Sequence, residues 1–255
     1  MILEIKSMNF SYSSIEILKK INLNINQHEL VTILGPNGVG KTTLLKCINK
    51  LLKPSSGKIL LNGNDILQMS QIEIAKKIGY VSQTNEKYRM TVFDAVMLGR
   101  YPYIKWGISG SDLQKVNSII HILNLEKLTL RFLDELSGGE LQKVCVARAL
   151  VQEPELLLFD EPASNLDLKS QLEIMDLIRS VVTNHKVSAV LTLHDLNTAL
   201  RYSDRLVFLK SGEIYSYCQP KDITEQLIED VYGVPVILMK HGELPFIIPK
   251  GDHHK

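Results

Sequence analysis

The sequence predicts an α/β fold in which a strand-rich lobe is interrupted by a helical one and then resumed. Three observations predict it. Short apolar runs recur at Leu30–Leu34, Leu156–Phe159 and Val187–Leu193, each the length of a buried strand in a parallel sheet. Between about Thr91 and Val151 the pattern changes, and Leu113, Val116, Ile119, Ile120 and Leu123 follow helical spacing. A glycine-rich loop, Gly35 to Gly40, joins the first apolar run to a helical pattern. Such a join aims backbone amides and a helix N-terminus at an anion.

Taken in order, Ile2 to Phe10 reads as a strand, Ser11 to Ser14 as a turn, and Ile21-Asn-Leu-Asn-Ile25 as a further strand by its alternation. The Leu30–Leu34 strand leads through the glycine loop into a helix from Thr42 to Asn49. Lys58 to Gly63 and Gly79 to Gln83 read as strands running into turns. Gly99, Pro102, Gly107 and Gly110 punctuate the helical stretch. Strands resume at Leu156–Phe159, Val187–Leu193, Arg205–Leu209 and Glu213–Tyr217. The expected organisation is one domain over 1–255, with 1–90 and 150–255 as the strand-rich lobe and about 91–149 as the helical lobe. Gly251-Asp-His-His-Lys255 reads as a frayed tail.

Composition bounds the function. The chain has 255 residues, of which 45% are hydrophobic and 22% charged, an ordinary globular balance. A net charge of +1 supplies no global field toward nucleic acid or an anionic bilayer. Cys47, Cys145 and Cys218 are scattered and lack CxxC spacing, which favours reduced thiols in a cytoplasmic protein over a zinc site. Met1 leads directly into Ile-Leu-Glu-Ile-Lys, so no signal peptide is expected. The apolar runs are too short to span a bilayer, so any membrane role is expected to be peripheral.

The chemistry concentrates in three segments. Gly35-Pro36-Asn37-Gly38-Val39-Gly40-Lys41-Thr42-Thr43 matches the phosphate-binding loop, with a strand before it and a helix after it. Its glycines let amides close around phosphates, Lys41 supplies a point charge at the β and γ oxygens, and the Thr42 hydroxyl can ligate Mg²⁺. In Glu155-Leu-Leu-Leu-Phe-Asp160-Glu161-Pro162 an apolar strand delivers two carboxylates to its C-terminal end. By itself that pair better suits a capped turn. Behind a phosphate loop, Asp160 holds Mg²⁺ through its water shell and Glu161 accepts a proton from the water attacking the γ-phosphate. In Leu136-Ser137-Gly138-Gly139-Glu140, Ser137 and Glu140 form a capping box at a helix start. The second glycine is not needed for capping, and reads as clearance for an approaching anion.

This order of elements resembles the ATP-binding subunit of ABC transporters over nearly the whole chain. The resemblance implies a P-loop NTPase (RecA-like) core with an antiparallel β subdomain and an inserted helical subdomain. It implies ATP and Mg²⁺ as ligands, and a head-to-tail homodimer in which Ser137, Gly138, Gly139 and Glu140 complete the partner's ATP site. By the same resemblance Tyr12 matches the aromatic that stacks on adenine, which suits a π-face. Gln83 matches the Q-loop glutamine at Mg²⁺ or the attacking water, Asp167 in Ser164-Asn-Leu-Asp167 the D-loop at the dimer seam, and His194 the switch histidine at the γ-phosphate. Taken alone, Tyr12 is equally an exposed turn residue, whereas a lone histidine at a strand end reads as a surface residue, so His194 is functional only by this match.

One phosphate loop without a membrane span implies separate permease subunits and a peripheral place on the cytoplasmic face of the membrane. Leu98-Gly-Arg-Tyr-Pro-Tyr103 resembles a stretch of importers for iron–siderophore, haem, cobalamin and related chelates, with Tyr103 where the family has His. Residues Gln83 to Tyr103 would meet the permease, and an extracytoplasmic binding protein would act indirectly. Tyr232 to Val236 and Pro245 to Pro249 resemble the same group's ending. Molybdate or tungstate import is the alternative. A soluble nucleic-acid or translation ATPase is disfavoured by the absence of a long coiled coil, a second cassette or a basic surplus.

Overall fold

The computed structural model describes residues 1–83, 89–242 and 244–250. The expected tail at 251–255 and residues 84–88 of the expected permease-facing segment lie outside the described residues. In chain order the elements are β1 (Leu3–Tyr12), β2 (Ile15–Ile25), β3 (Leu30–Leu34), α1 (Lys41–Ile48), β4 (Ser56–Leu61), β5 (Asn64–Asp65), α2 (Gln71–Lys77), β6 (Ile78–Val81) and α3 (Val92–Met97). There follow α4 (Gly110–Ile122), α5 (Gly138–Leu150), β7 (Leu156–Asp160), α6 (Leu168–His185), β8 (Ser188–Thr192), α7 (Leu196–Tyr202), β9 (Arg205–Lys210), β10 (Glu213–Cys218), α8 (Glu225–Tyr232), β11 (Val236–His241) and β12 (Leu244–Pro249). The chain divides into two compact units, Met1–Leu67 with Ser188–Lys255, and Gln68–Val187.

The first unit holds an antiparallel sheet ordered β2-β1-β4-β5. Along β1 the buried residues are Leu3, Ile5, Met8 and Phe10, a period of two broken by one extra residue. A register shift between Ile5 and Met8, with Ser7 at φ 45°, absorbs that residue and returns Met8 to the core. Beside this sheet β3 pairs in parallel with both β8 and β9, and β10 adds an antiparallel edge. All five residues of β3 and of β8 are buried, as continuous apolar runs in a parallel sheet require. The β1–β2 turn is shorter than the sequence suggested. Ser11 pairs with Glu16 and Tyr12 with Ile15, so only Ser13 and Ser14 turn and Tyr12 closes a strand. The C-terminal hairpin of β11 and β12 buries Val236 and Ile247 and leaves Ile237, Met239, Phe246 and Ile248 exposed.

In the second unit β6 and β7 run in parallel among five helices, and all of β7 is buried. Each helix start carries its own stop signal for the preceding chain. Ser70, Ser109 and Ser137 each form a capping box with the acid three residues on, and Thr91 and Asp167 cap α3 and α6. Helix α6, at eighteen residues, buries the stripe Ile174, Met175, Ile178, Val181 and Val182 and ends at Lys186 in a left-handed conformation. The sequence reading did not anticipate α2, α6, α7, α8 or the β11–β12 hairpin.

Candidate functional site

In the first unit the glycine loop leaves β3 and enters α1. Gly35 adopts φ 147°, Gly38 φ 77° and Gly40 φ 109°, conformations that side chains with a Cβ rarely tolerate. At Gly35 a Cβ would stand 2.5 Å from the Leu209 carbonyl oxygen, so this glycine is required twice over. Gly40 occupies the N-cap of α1 with no side-chain cap bond, which keeps the amides at this helix start clear of side-chain oxygens. Lys41 is buried, and its Nζ donates to the carbonyl oxygens of Gly35 at 2.8 Å and Pro36 at 3.1 Å. The ammonium is thus held over the loop's own mouth. Thr42 is half-buried and Thr43 buried on the first turn of α1, while Asn37 and Gly38 are exposed at the loop tip.

His194 emerges beside this loop. Thr192 of β8 is in register with Ile33 of β3, and the Leu193 N–H donates to the Ile33 carbonyl at 3.5 Å. Both chain segments therefore leave the same end of adjacent parallel strands, where open sheets bind ligands. His194 is exposed and is followed at once by Asp195, the N-cap of α7. Tyr12 is also in this unit, 46% exposed, its ring edge-on to the buried Phe10 with 4.8 Å between centroids. That contact fixes the plane of the Tyr12 ring.

In the second unit the paired strands β6 and β7 bring Gln83 to Asp160 and Glu161. Val81 is in register with Phe159, so the residues just beyond each strand are neighbours. Gln83 Nε2 donates to Glu161 Oε2 at 2.5 Å. Asp160 and Glu161 are both buried, and Tyr80 on β6 directs its hydroxyl at Asp160 Oδ2 from 3.5 Å. Burial, followed by the Asp160 charge, pushes the Tyr80 phenol well above its usual range, so it acts only as a neutral donor. Glu161 has φ 52°, a left-handed conformation unusual for glutamate. Its carbonyl is caught by the Ser164 N–H at 3.1 Å and the Ser164 hydroxyl at 2.9 Å, which holds this turn. Tyr80 and Ser164 escaped the sequence reading as supports: Tyr80 lies eighty residues from Asp160, and the bond from Ser164 needs the left-handed turn at Glu161, which no pattern marks.

The Ser137–Glu140 segment forms the capping box that the sequence predicted. The Glu140 N–H donates to Ser137 Oγ at 3.3 Å, and Glu140 Oε2 accepts from the Ser137 N–H at 2.9 Å and hydroxyl at 2.7 Å. The hydroxyl bond first, then the amide bond, holds the Glu140 carboxyl below its usual range. The second glycine has a reason within the chain. A Cβ on Gly139 would lie 2.9 Å from Ser170 Oγ, and one on Gly138 would lie 3.1 Å from a Leu166 methyl. Asp167 caps the neighbouring helix α6, accepting from the Ser170 N–H at 3.0 Å and hydroxyl at 2.9 Å, which lowers its pKa.

The Leu98–Tyr103 stretch is a 3₁₀ turn whose arginine is structural. Arg100 is 3% exposed and reaches Asp112 at 3.0 Å, the Val151 carbonyl at 2.8 Å and Glu153 at 3.0 Å. Its guanidinium stacks on the Tyr103 ring, 3.9 Å from the centroid. The Ser109 hydroxyl first, then Arg100, brings the Asp112 carboxyl down to about 2. The Tyr103 hydroxyl donates to the Gln152 carbonyl at 2.8 Å. Tyr101 and Trp106 stand outward beside this knot, 74% and 101% exposed.

Comparison with known proteins agrees with this arrangement. Among the described residues no helix is long and apolar enough to cross a membrane. An uncharacterized ABC transporter ATP-binding protein of Methanocaldococcus jannaschii is 49% identical over 251 residues, covering 98% of this chain and 99% of the relative. A petrobactin import ATP-binding protein of Bacillus subtilis is 32% identical over 235 residues, covering 91% of this chain and 93% of the relative. The solved inward-facing structure of a protein described as a metal-chelate type ABC transporter superposes with a TM-score of 0.86 at 25% identity, covering 98% and 97% of the two chains. The family model described as ABC transporter matches residues 18–164. With that match spanning more than half its length, the chain belongs to the ABC transporter family, as one of its ATP-hydrolysing subunits.

Proposed function

We propose that this chain powers an importer of iron–siderophore or related metal chelates, haem and cobalamin among them, from the cytoplasmic face of the membrane. The hydrolytic half of that reading is carried by one observation: a buried glutamate, Glu161, directly follows a parallel strand with its carboxylate already bonded to Gln83. The chelate half is supported by the petrobactin-importing relative and the metal-chelate type structure.

Two copies bind ATP between the phosphate loop of one and Ser137, Gly138 and Gly139 of the other. Lys41 turns from the Gly35 and Pro36 carbonyls to the β and γ oxygens, exchanging neutral acceptors for anionic ones. Thr42, Gln83 and Asp160 offer the hard oxygen donors that Mg²⁺ takes, and the buried Asp160 carboxylate suits a divalent cation. Bound there, the ion would neutralise charge developing on the transferred phosphoryl group. Tyr12 stacks on adenine, Asp167 lies at the dimer seam, and His194 holds the γ-phosphate. Glu161 takes a proton from the attacking water once Gln83 has released its carboxylate. Closure is passed to the permease through the Gln83–Tyr103 segment, on which the exposed Tyr101, with the exposed Trp106 just beyond, offers apolar area.

Glu161→Gln tests the chemistry. The variant is expected to bind ATP with near-normal affinity, to hydrolyse it at least ~100-fold more slowly, and to accumulate as a closed dimer on gel filtration. Wild-type turnover by that variant would refute the assignment of Glu161. Uptake of a ferric siderophore by cells carrying the permease, abolished by Lys41→Ala in this chain, tests the cargo.

A further inference from the structure

The C-terminal segment, α8 with the β11–β12 hairpin, carries none of the nucleotide motifs, yet it grips the part of the first unit from which His194 emerges. The side chain of Asn197, on the first turn of α7, bonds both backbone groups of Ile247 on β12. Nδ2 donates to the Ile247 carbonyl at 3.1 Å, and Oδ1 accepts from the Ile247 N–H at 2.8 Å. One amide thereby replaces a missing strand partner at the hairpin edge, and only asparagine or glutamine offers that donor and acceptor pair. Ile247 is buried, 5% exposed, and so are Ala199 and Leu200 of α7, at 0% and 3%. The far side of the hairpin is fastened too, by the Leu238 N–H donating to Glu225 Oε1 of α8 at 2.9 Å. Helix α8 ends at Tyr232, whose phenol is half-buried. Burial pushes that phenol up to about 12, so it stays a neutral hydroxyl at working pH.

Helix α7 has seven residues, too few to hold itself rigid without tertiary support. Its N-cap, Asp195, accepts from the Thr198 N–H at 2.5 Å and follows His194 directly. The turn that presents the imidazole is therefore as fixed as the first turn of α7, and that turn is held by Asn197.

We propose that Asn197 is a positioning residue for hydrolysis, clamping the turn that carries His194 to the C-terminal hairpin. The inference rests on the reading of His194 as the γ-phosphate ligand. In steady-state ATP hydrolysis by the full chain, Asn197→Ala is expected to lower kcat ten- to a hundredfold, the scale of a catalytic group displaced by up to about an ångström, with KM for ATP within about twofold of wild type. Asn197→Asp keeps the acceptor for the Ile247 N–H and recovers part of the loss; should the alanine variant fail to fold, the aspartate variant carries the test. A purely structural role would lower kcat equally with and without His194. The clamp instead requires Asn197→Ala to add nothing in a His194→Ala background. Wild-type kcat in folded Asn197→Ala, beside an impaired His194→Ala, overturns the clamp, as does an additive loss in the double variant. Wild-type kcat in His194→Ala overturns the reading of His194 itself.

Discussion

The phosphate loop and the Ser137–Glu140 segment are both glycine-rich starts of helices, but they are built on opposite principles. Gly35, Gly38 and Gly40 are forced by backbone conformation, and α1 begins with no side-chain cap. Gly138 and Gly139 have ordinary helical geometry behind a complete capping box, and their missing side chains make room for Leu166 and Ser170. The first start is therefore a cradle whose shape has one use. The second already satisfies some of its amides internally and packs on α6, so its glycines have an intrachain reason as well as the proposed one of facing a partner's nucleotide. Lys41 in the first segment can be removed to report on binding, whereas a substitution in the second reports on packing and function together.

The largest contrast is expected between Lys41→Ala and Ser137→Ala. Removing the buried ammonium should weaken ATP binding to the isolated chain by ~100-fold or more, as loss of a charge-assisted contact to phosphate implies. Ser137→Ala should leave that binding intact and reduce hydrolysis, because Ser137 is proposed to serve the partner's site. Equilibrium binding of a fluorescent ATP analogue checks both. Weakened binding by the isolated Ser137→Ala chain would break the distinction between the two starts.

The glycines themselves separate next. Gly35→Ala must place a Cβ 2.5 Å from a backbone carbonyl at φ 147°, and should cost about 3 kcal/mol or more in thermal or denaturant unfolding. Gly139→Ala meets only the Ser170 side chain, its hydroxyl at 2.9 Å, which can rotate away, and its Cβ at 3.1 Å, which must give by a few tenths of an ångström, and it gains alanine's helix propensity of about 1 kcal/mol. Its net effect on stability should lie within about 1 kcal/mol of zero. Hydrolysis then decides what the second glycine is for. A stable Gly139→Ala protein that has lost activity supports clearance for an anion, whereas full activity leaves Ser170 as the only reason.

The same contrast explains what the sequence made legible. The strands β3, β7 and β8 are continuous apolar runs, and each ends at a chemical motif, so local pattern and function pointed the same way. The capping box at Ser137 was equally local. Helix α6 is readable in principle from Asp167 as cap and the stripe from Ile174 to Val182, but Asp167 serves both as the end of the Ser164–Asp167 motif and as the start of the helix, and the first role masks the second. Ser7 shows a different limit: no propensity marks a residue squeezed out of register by its partners on β2 and β4. The supports of the site were the least legible of all. Tyr80 on Asp160 and Asn197 on Ile247 are contacts between residues distant in sequence, and nothing in one side chain announces the other.

The smallest expected effect concerns the charge in the capping box. Hydrogen bonds from Ser137 hold the Glu140 carboxyl below its usual range, so the folded state favours the carboxylate. A depressed carboxylate contributes stability that is fully present above the unfolded-state value of about 4.3. That contribution is lost as pH falls through the lower folded-state value. The cap as a whole is worth about 1 kcal/mol, or a melting shift of about 2–4 °C in a chain of this size. Melting temperatures of the wild type and Ser137→Ala should therefore differ by a constant gap from about pH 7 to pH 5, and the gap should narrow as pH drops below about 4. The phosphate-loop helix has no such acidic cap, with Gly40 at its N-cap and no acid in its first turn. The gap between wild type and Gly35→Ala should accordingly show no matching decline. If the Ser137 gap stays constant down to the lowest pH at which the fold survives, the cap owes nothing to the Glu140 charge, and the two helix starts are less different electrostatically than their geometry implies.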